Sequence, residues 1–174
     1  MSVEIRGEVF AEFVRQHTRS LFSTAFLLTG SRERAEDLLQ ETLTALYPKW
    51  DRVEAADHPA AYVRKAITNR FLNSVRSAGR EVVAWEVPDS WDGIDVSEQV
   101  AASRTVWQLL GELGERQRAA VVLHYFHDQS DEEIGAGIGC RRSTARSLIS
   151  RGLATMRAAL DERTSDRPDL GAQR

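Results

Sequence analysis

Apolar residues recur at three- and four-residue steps through most of the chain, the period of an amphipathic helix. Phe10, Phe13, Val14, His17, Leu21, Ala25 and Leu28 share one stripe. Thr29-Gly30 ends it, because glycine tolerates the left-handed backbone that closes a helix. Ser31 is placed to cap the next helix, whose stripe is Ala35, Leu38, Leu39, Thr42, Leu43 and Leu46. Pro48 lacks a backbone donor, so this helix ends or kinks near Tyr47. Residues 51–58 (DRVEAADH) read as a loop. Pro59 suits a first helical position, and its helix extends to about Ala78 with Val63, Ala66, Ile67, Phe71 and Val75 inward.

Residues 79–96 carry no clear period and read as a linker. Trp85 and Trp91 are too large and apolar to remain in water, so they are expected to dock. Helical spacing resumes near Ser97 and runs to about Leu110, then from Glu115 to Phe126 with Ala119, Val122, Leu123 and Phe126 inward. Ser130-Asp131-Glu132-Glu133 has the form of a capping box. A short helix with Ile134 and Ile138 follows, then a Gly139-Cys140 turn. A longer helix places Ala145, Leu148, Ile149, Leu153, Met156 and Leu160 on one face. Interior glycines weaken the short helix by roughly 1 kcal/mol each, so docking of its two isoleucines must hold it. No strand pattern of any weight occurs. The expected fold is all-α, with two small helical domains joined by an acidic linker.

Composition narrows the class. The chain has 174 residues, 42% hydrophobic and 28% charged, enough for one large domain or two small ones. No apolar run approaches the roughly 18 residues of a membrane span. The N-terminal MSVEIRGEVF does not resemble a signal peptide. A single cysteine, Cys140, excludes an internal disulfide and a multi-cysteine zinc site. A reducing cytoplasm is expected.

The formal charge of −3 argues alone against a nucleic-acid binder; its distribution argues otherwise. Pro59 to Arg80 holds five bases (Arg64, Lys65, Arg70, Arg76, Arg80) and no acid. Arg141 to Met156 holds four (Arg141, Arg142, Arg146, Arg151), again with no acid. Residues 81–103 hold six acids and no base. An acid-free basic helix suits phosphate contact. A solvated face explains one such segment better, but two in separate blocks favour nucleic acid.

The capped short helix, glycine turn and long basic helix make a helix-turn-helix, whose second helix enters the major groove. Arg142, Ser143, Thr144, Arg146 and Ser147 lie at its reading end. Arg146 is the best candidate for a base edge, and Arg151 takes a phosphate or a second base. A transcriptional regulator that binds DNA through this helix-turn-helix alone is the alternative function. An enzyme is the weaker rival. His124 and His127 stand three apart and with Cys140 make at most three metal ligands, with neither zinc-protease spacing nor a phosphate loop. No enzyme activity, metal or cofactor is expected.

Three segments together resemble the small bacterial RNA polymerase sigma factors of the extracytoplasmic function (ECF) type, in their actinobacterial sigma-E-like form. They are LLTGSRERAEDLLQETLTALYPKW (27–50), AYVRKAITNRFLNSVR (61–76) and LGERQRAAVVLHYFHDQSDEEIGAGIGCRRSTARSLISRGLATMR (113–157). The resemblance covers about residues 8–160. It implies sigma region 2 over 5–80, an acidic linker over 81–98, sigma region 4 over 99–162 and a flexible tail over 163–174. It implies core polymerase, through its β′ coiled coil and β subunit, and promoter DNA as partners, with an anti-sigma protein as a further possibility. Asp37, Gln40 and Glu41 would face the polymerase. Tyr62, Arg64, Lys65, Asn69, Arg70 and Arg76 would serve the −10 element, with the loop Arg52–Ala60 standing where the family captures a base. Tyr62 either stacks on an unpaired base or belongs to the core; Trp50 closes the helical domain. Arg142, Ser143, Thr144, Arg146, Ser147 and Arg151 would read the −35 element. Departures from the family pattern at Arg141, Ser143, Ala145 and Leu148 bear on the −35 sequence. The acidic linker would thread the polymerase channel. A minimal factor is expected, without a long N-terminal extension, an intact third region or an appended C-terminal domain.

Overall fold

A computed structural model of the chain describes residues 3–77, 85 and 104–165. Helix α1 spans Val3–Thr29 and stops where Gly30 takes φ 72°. Helix α2 spans Arg32–Leu46. Ser31 stands at its N-cap in extended backbone, but its hydroxyl makes no capping bond. The Ser31 carbonyl instead accepts from the Ala35 amide and the Thr29 hydroxyl. Pro48 lies in a 3-10 turn, Tyr47–Lys49, that ends α2 as its missing donor requires.

The loop expected over 51–58 begins as a helix, α3 (Trp50–Glu54). Trp50 and Val53, three residues apart, are 1% and 0% exposed. Phe10 and Phe13 meet the Trp50 ring edge-on at 4.9 and 4.8 Å. Arg6 adds an ion pair to Asp51 at 3.0 Å. Burying two apolar side chains, at roughly 1.5–3 kcal/mol each, outweighs the local polarity that reads as loop. The turn that remains leads into α4 (Pro59–Ser77), with Val63, Ile67 and Phe71 buried.

Beyond residue 103 the described helices are α5 (Arg104–Gly111), α6 (Glu115–His127), α7 (Asp131–Ile138) and α8 (Arg142–Ser165). The capping box forms: the Ser130 hydroxyl accepts from the Glu133 amide, and the Glu133 carboxylate accepts from the Ser130 amide at 2.8 Å. Those bonds hold the Glu133 carboxyl below its usual range. Ile134 and Ile138 are buried, as the weak helix needed. In α8 the covered line runs Ala145, Ile149, Gly152, Met156, Ala159 and Arg163, alternating steps of four and three. Leu160 falls one residue off this line and is 42% exposed, so it does not join the inward stripe.

Helices α1 to α4 pack together, and so do α5 to α8. The two groups also pack on each other, α1 and α4 against α6 and α7, so the buried apolar residues form one continuous core. Thr24 on α1 and His127 on α6 share a hydrogen bond of 2.7 Å across this junction. The rings of Phe26 and Trp107 stack at 4.4 Å. Trp85 continues the stack onto Trp107 at 4.4 Å and lies against Gly30 and Gly111, where any Cβ would collide with its ring. Trp85 therefore docks as its size predicted; Trp91, the linker acids and the tail beyond residue 165 lie outside the described residues. Among the described residues there is no strand, and no helix is long and apolar enough to cross a membrane.

Candidate nucleic-acid interface

Three surfaces carry the residues singled out by sequence. The first is the outer face of α8. Burial of Ala145 and Ile149 sets the helix phase, and Arg142, Ser143, Thr144, Arg146, Ser147 and Arg151 are all exposed. The Ser147 hydroxyl donates to the Ser143 carbonyl, and Arg151 Nε to the Ser147 carbonyl at 3.3 Å. Arg146 turns the other way, toward α7, where its Nε donates to Asp131 Oδ2 at 2.8 Å.

The second surface is a cleft of about 670 Å³ between α2 and α4. Tyr62, Lys65, Asn69 and Arg70 all line it: steps of three and four keep Tyr62, Lys65 and Asn69 on one side of α4, and Arg70 flanks Asn69. Glu41, Lys49 and Asn73 complete its polar wall. Arg70 Nη2 donates to the Glu41 carbonyl at 3.3 Å, joining the two helices. Tyr62 is 40% exposed, which decides against a core role.

Arg64 does not share this cleft. It is half-buried close to His127 of α6, and its Nε is buried without a hydrogen-bond partner. Burial pulls its pKa down. The Arg76 side chain lies outside the described residues. Of the loop Arg52–Ala60, the first residues belong to α3 and the last two to α4.

The third surface is the exposed edge of α2. Asp37, Gln40 and Glu41 stand together there, opposite the buried Ala35, Leu38, Leu39 and Thr42. They form a ridge between two grooves. Gln40 also lines an apolar groove of about 940 Å³ between α1 and α2, floored by Phe10, Phe22, Leu39 and Leu43. Glu41 lines the polar cleft on the other side.

His124 and His127 each have a hydrogen-bond partner. His124 Nδ1 donates to the Gln129 carbonyl at 3.1 Å, and His127 bonds Thr24. Burial and the nearby Arg64 push the His127 pKa down to about 4, against a smaller pull from Asp128. Among the described residues no group of three or more His, Cys, Asp or Glu side chains is arranged to hold a metal ion.

Sequence reasoning missed Arg118, Trp107 and Asp131. Arg118 is a cation set between the inward-facing positions of α6, one residue before Ala119. That misplaced charge was its only signal. Trp107 lies within a stretch read simply as helix, and Asp131 was read only as the interior of a capping box.

Comparisons with known proteins accord with this geometry. The family model of Sigma-70 region 2 matches residues 13–81, and that of Sigma-70, region 4 matches residues 103–156. The chain is 33% identical over 163 residues to the RNA polymerase sigma-E factor of Streptomyces avermitilis, covering 92% of this chain and 90% of the relative. It is 32% identical to the RNA polymerase sigma-E factor of Streptomyces coelicolor, covering 92% of each. Among solved structures, the sigma factor RpoE of Bartonella quintana, determined in complex with the anti-sigma factor NepR, superposes with a TM-score of 0.68. That match has 25% identity and covers 92% of this chain and 99% of the other. A basic helix-turn-helix, a polar cleft beside a basic helix, and relatives matched along nearly their whole length converge: the chain belongs to the sigma-70 family as an ECF-type RNA polymerase sigma factor, similar to sigma-E.

Proposed function

We propose that the three surfaces divide the work of promoter recognition. The α8 face reads the −35 element. The cleft between α2 and α4 takes the −10 element, and the Asp37–Gln40–Glu41 ridge docks on core polymerase. The observation that carries this reading is the gathering of Tyr62, Lys65, Asn69 and Arg70 in one cleft. Opening a promoter requires cations for one strand and an aromatic face for an unstacked base. Lys65 and Arg70 supply the first and Tyr62 the second. The chain performs no covalent chemistry; bond formation belongs to the polymerase. It acts where polymerase and DNA are, in the cytoplasm.

The packed arrangement is then a resting one. Elements centred about 25 base pairs apart, at about 3.4 Å per base pair, are separated by about 85 Å. Here α4 lies directly against α7 of the helix-turn-helix. The longest described helix, α1, has 27 residues and extends only about 40 Å. The two groups of helices must separate to engage both elements, and separation also frees Arg64 for DNA. The NepR complex of the Bartonella factor supports an anti-sigma partner for this chain as well. Such a partner would compete for the ridge and its apolar groove.

Run-off transcription with purified core polymerase and randomised upstream DNA tests this reading. Protein-dependent transcripts sharing two upstream elements are the expected result. Specific DNA binding that ignores core polymerase would favour the helix-turn-helix regulator instead.

A further inference from the structure

Asp131 has no task in the capping box, which Ser130 and Glu133 complete between themselves. Its side chain is nevertheless only 15% exposed, and its Oδ2 accepts from Arg146 Nε at 2.8 Å. Arg146 itself is 67% exposed on the outward face of α8. The backbones carrying the two groups are held firmly, because Ile134, Ile138 and Ala145 are at most 1% exposed between them. The carboxylate is thus fixed relative to the helix that carries the guanidinium.

We propose that Asp131 is a positioning residue for promoter reading, which holds Arg146 for end-on recognition of a guanine in the −35 element. This rests on the assignment of α8 to that element. A guanidinium is a planar fork of five donors. Engaging Nε pins the plane and leaves the two terminal amino groups free. These are the pair that matches O6 and N7 of guanine. An arginine held before binding also loses less side-chain freedom on binding. Arg151 is not held in this way, since its Nε donates only to the Ser147 carbonyl of its own helix. Asp131 also sets a negative charge beside a DNA face, which works against unspecific attraction. Its presence there therefore favours discrimination over affinity.

The test uses holoenzyme made from core polymerase and the full chain, on promoters differing by single bases in the −35 element. Arg146→Ala should abolish discrimination at one position. Asp131→Asn should weaken discrimination at that same position by about fivefold, with unspecific DNA binding unchanged or raised. The double variant should lose no more than Arg146→Ala alone. Glu132→Gln removes a neighbouring exposed charge on the same turn and should alter no single position. Unfolding midpoints for each variant separate loss of fold, which lowers all binding together, from loss of positioning. If Arg146→Ala is position-specific but Asp131→Asn leaves that position unchanged, or raises binding equally at every sequence, the inference is overturned while the α8 reading stands. If Arg146→Ala changes no −35 position, the α8 reading itself fails and the inference with it.

Discussion

The guanidinium of Arg118, on α6, donates from Nη1 to the carbonyl of Leu28, at the end of α1, across 2.9 Å. The same side chain donates to the carbonyls of Leu110 and Leu113 at 3.0 and 2.9 Å. Its face lies over Trp85 at 4.3 Å. The last carbonyls of a helix lack intrahelical donors and carry partial negative charge. One buried cation thus serves the ends of α1 and α5 and ties the two groups of helices together. Burial pulls its pKa to about 10, which leaves it charged at neutral pH.

Removing that cation strands three carbonyls. Arg118→Ala should destabilise the folded chain by roughly 2–4 kcal/mol. Arg118→Lys should recover only part of this, because a compact ammonium cannot reach three acceptors in a planar fork. Urea midpoints of the three proteins check the order. Equal midpoints for the parent and the alanine variant would remove Arg118 from the junction.

Trp85 fits only because two glycines leave it room. A Cβ at Gly111 would stand 2.9 Å from the Trp85 ring. Gly111→Ala gains up to about 1 kcal/mol of helix propensity, so local preference and the tryptophan slot oppose each other. The substitution should displace Trp85 without unfolding α5. Acrylamide quenching of the Trp85 component, taken as the difference between Trp85→Phe and its parent, should rise in the Gly111→Ala background. Quenching that does not change would mean the slot accommodates a methyl group.

His127 makes the junction sensitive to acid. Its pKa is about 4 when packed and about 6.5 when released. Above pH 6.5 both forms are neutral and the contribution is complete. Between 6.5 and 4 the released form binds the proton that the packed form refuses, so stability falls with pH. Below 4 the loss levels off. The groups facing His127 are Arg64, which opposes its protonation, and Asp128, which assists it. The full loss is on the order of 3 kcal/mol. Unfolding free energies of the parent should fall more from pH 7 to pH 4 than those of His127→Gln, and parallel curves would contradict this.

The ridge on α2 should tolerate charge reversal. Asp37 and Glu41 are exposed, and the Glu41 carboxylate lies 3.8 Å from Arg70. An exposed pair of this kind contributes about 0–1 kcal/mol. Replacing both acids by lysine should therefore leave the melting temperature within a few degrees of the parent. Assembly with core polymerase, followed by co-elution, should be strongly weakened. Undiminished assembly would take both residues out of the polymerase contact.

Local pattern determined most of the helices. Periodicity marked α1, α2, α4 and α6; Pro48, Pro59 and Gly30 marked limits of the first three, and the Ser130–Glu133 box marked the start of α7. These signals act within a few residues, so one segment contains all the information. The grouping of Tyr62, Lys65, Asn69 and Arg70 was legible for the same reason, since one helix carries all four. The tertiary structure decided what depends on distant partners. DRVEAADH looks polar, yet it starts as a helix because Phe10 and Phe13 wait for Trp50. Arg64 resembles its basic neighbours in sequence, yet it is half-buried near His127 of α6, while Lys65 and Arg70 line the open cleft. Arg118 reads as a surface charge until the carbonyl of Leu28, ninety residues away, is brought to it. Helix propensity and capping are short-range forces, whereas desolvation and packing depend on which surfaces meet, and only the folded chain brings those surfaces together.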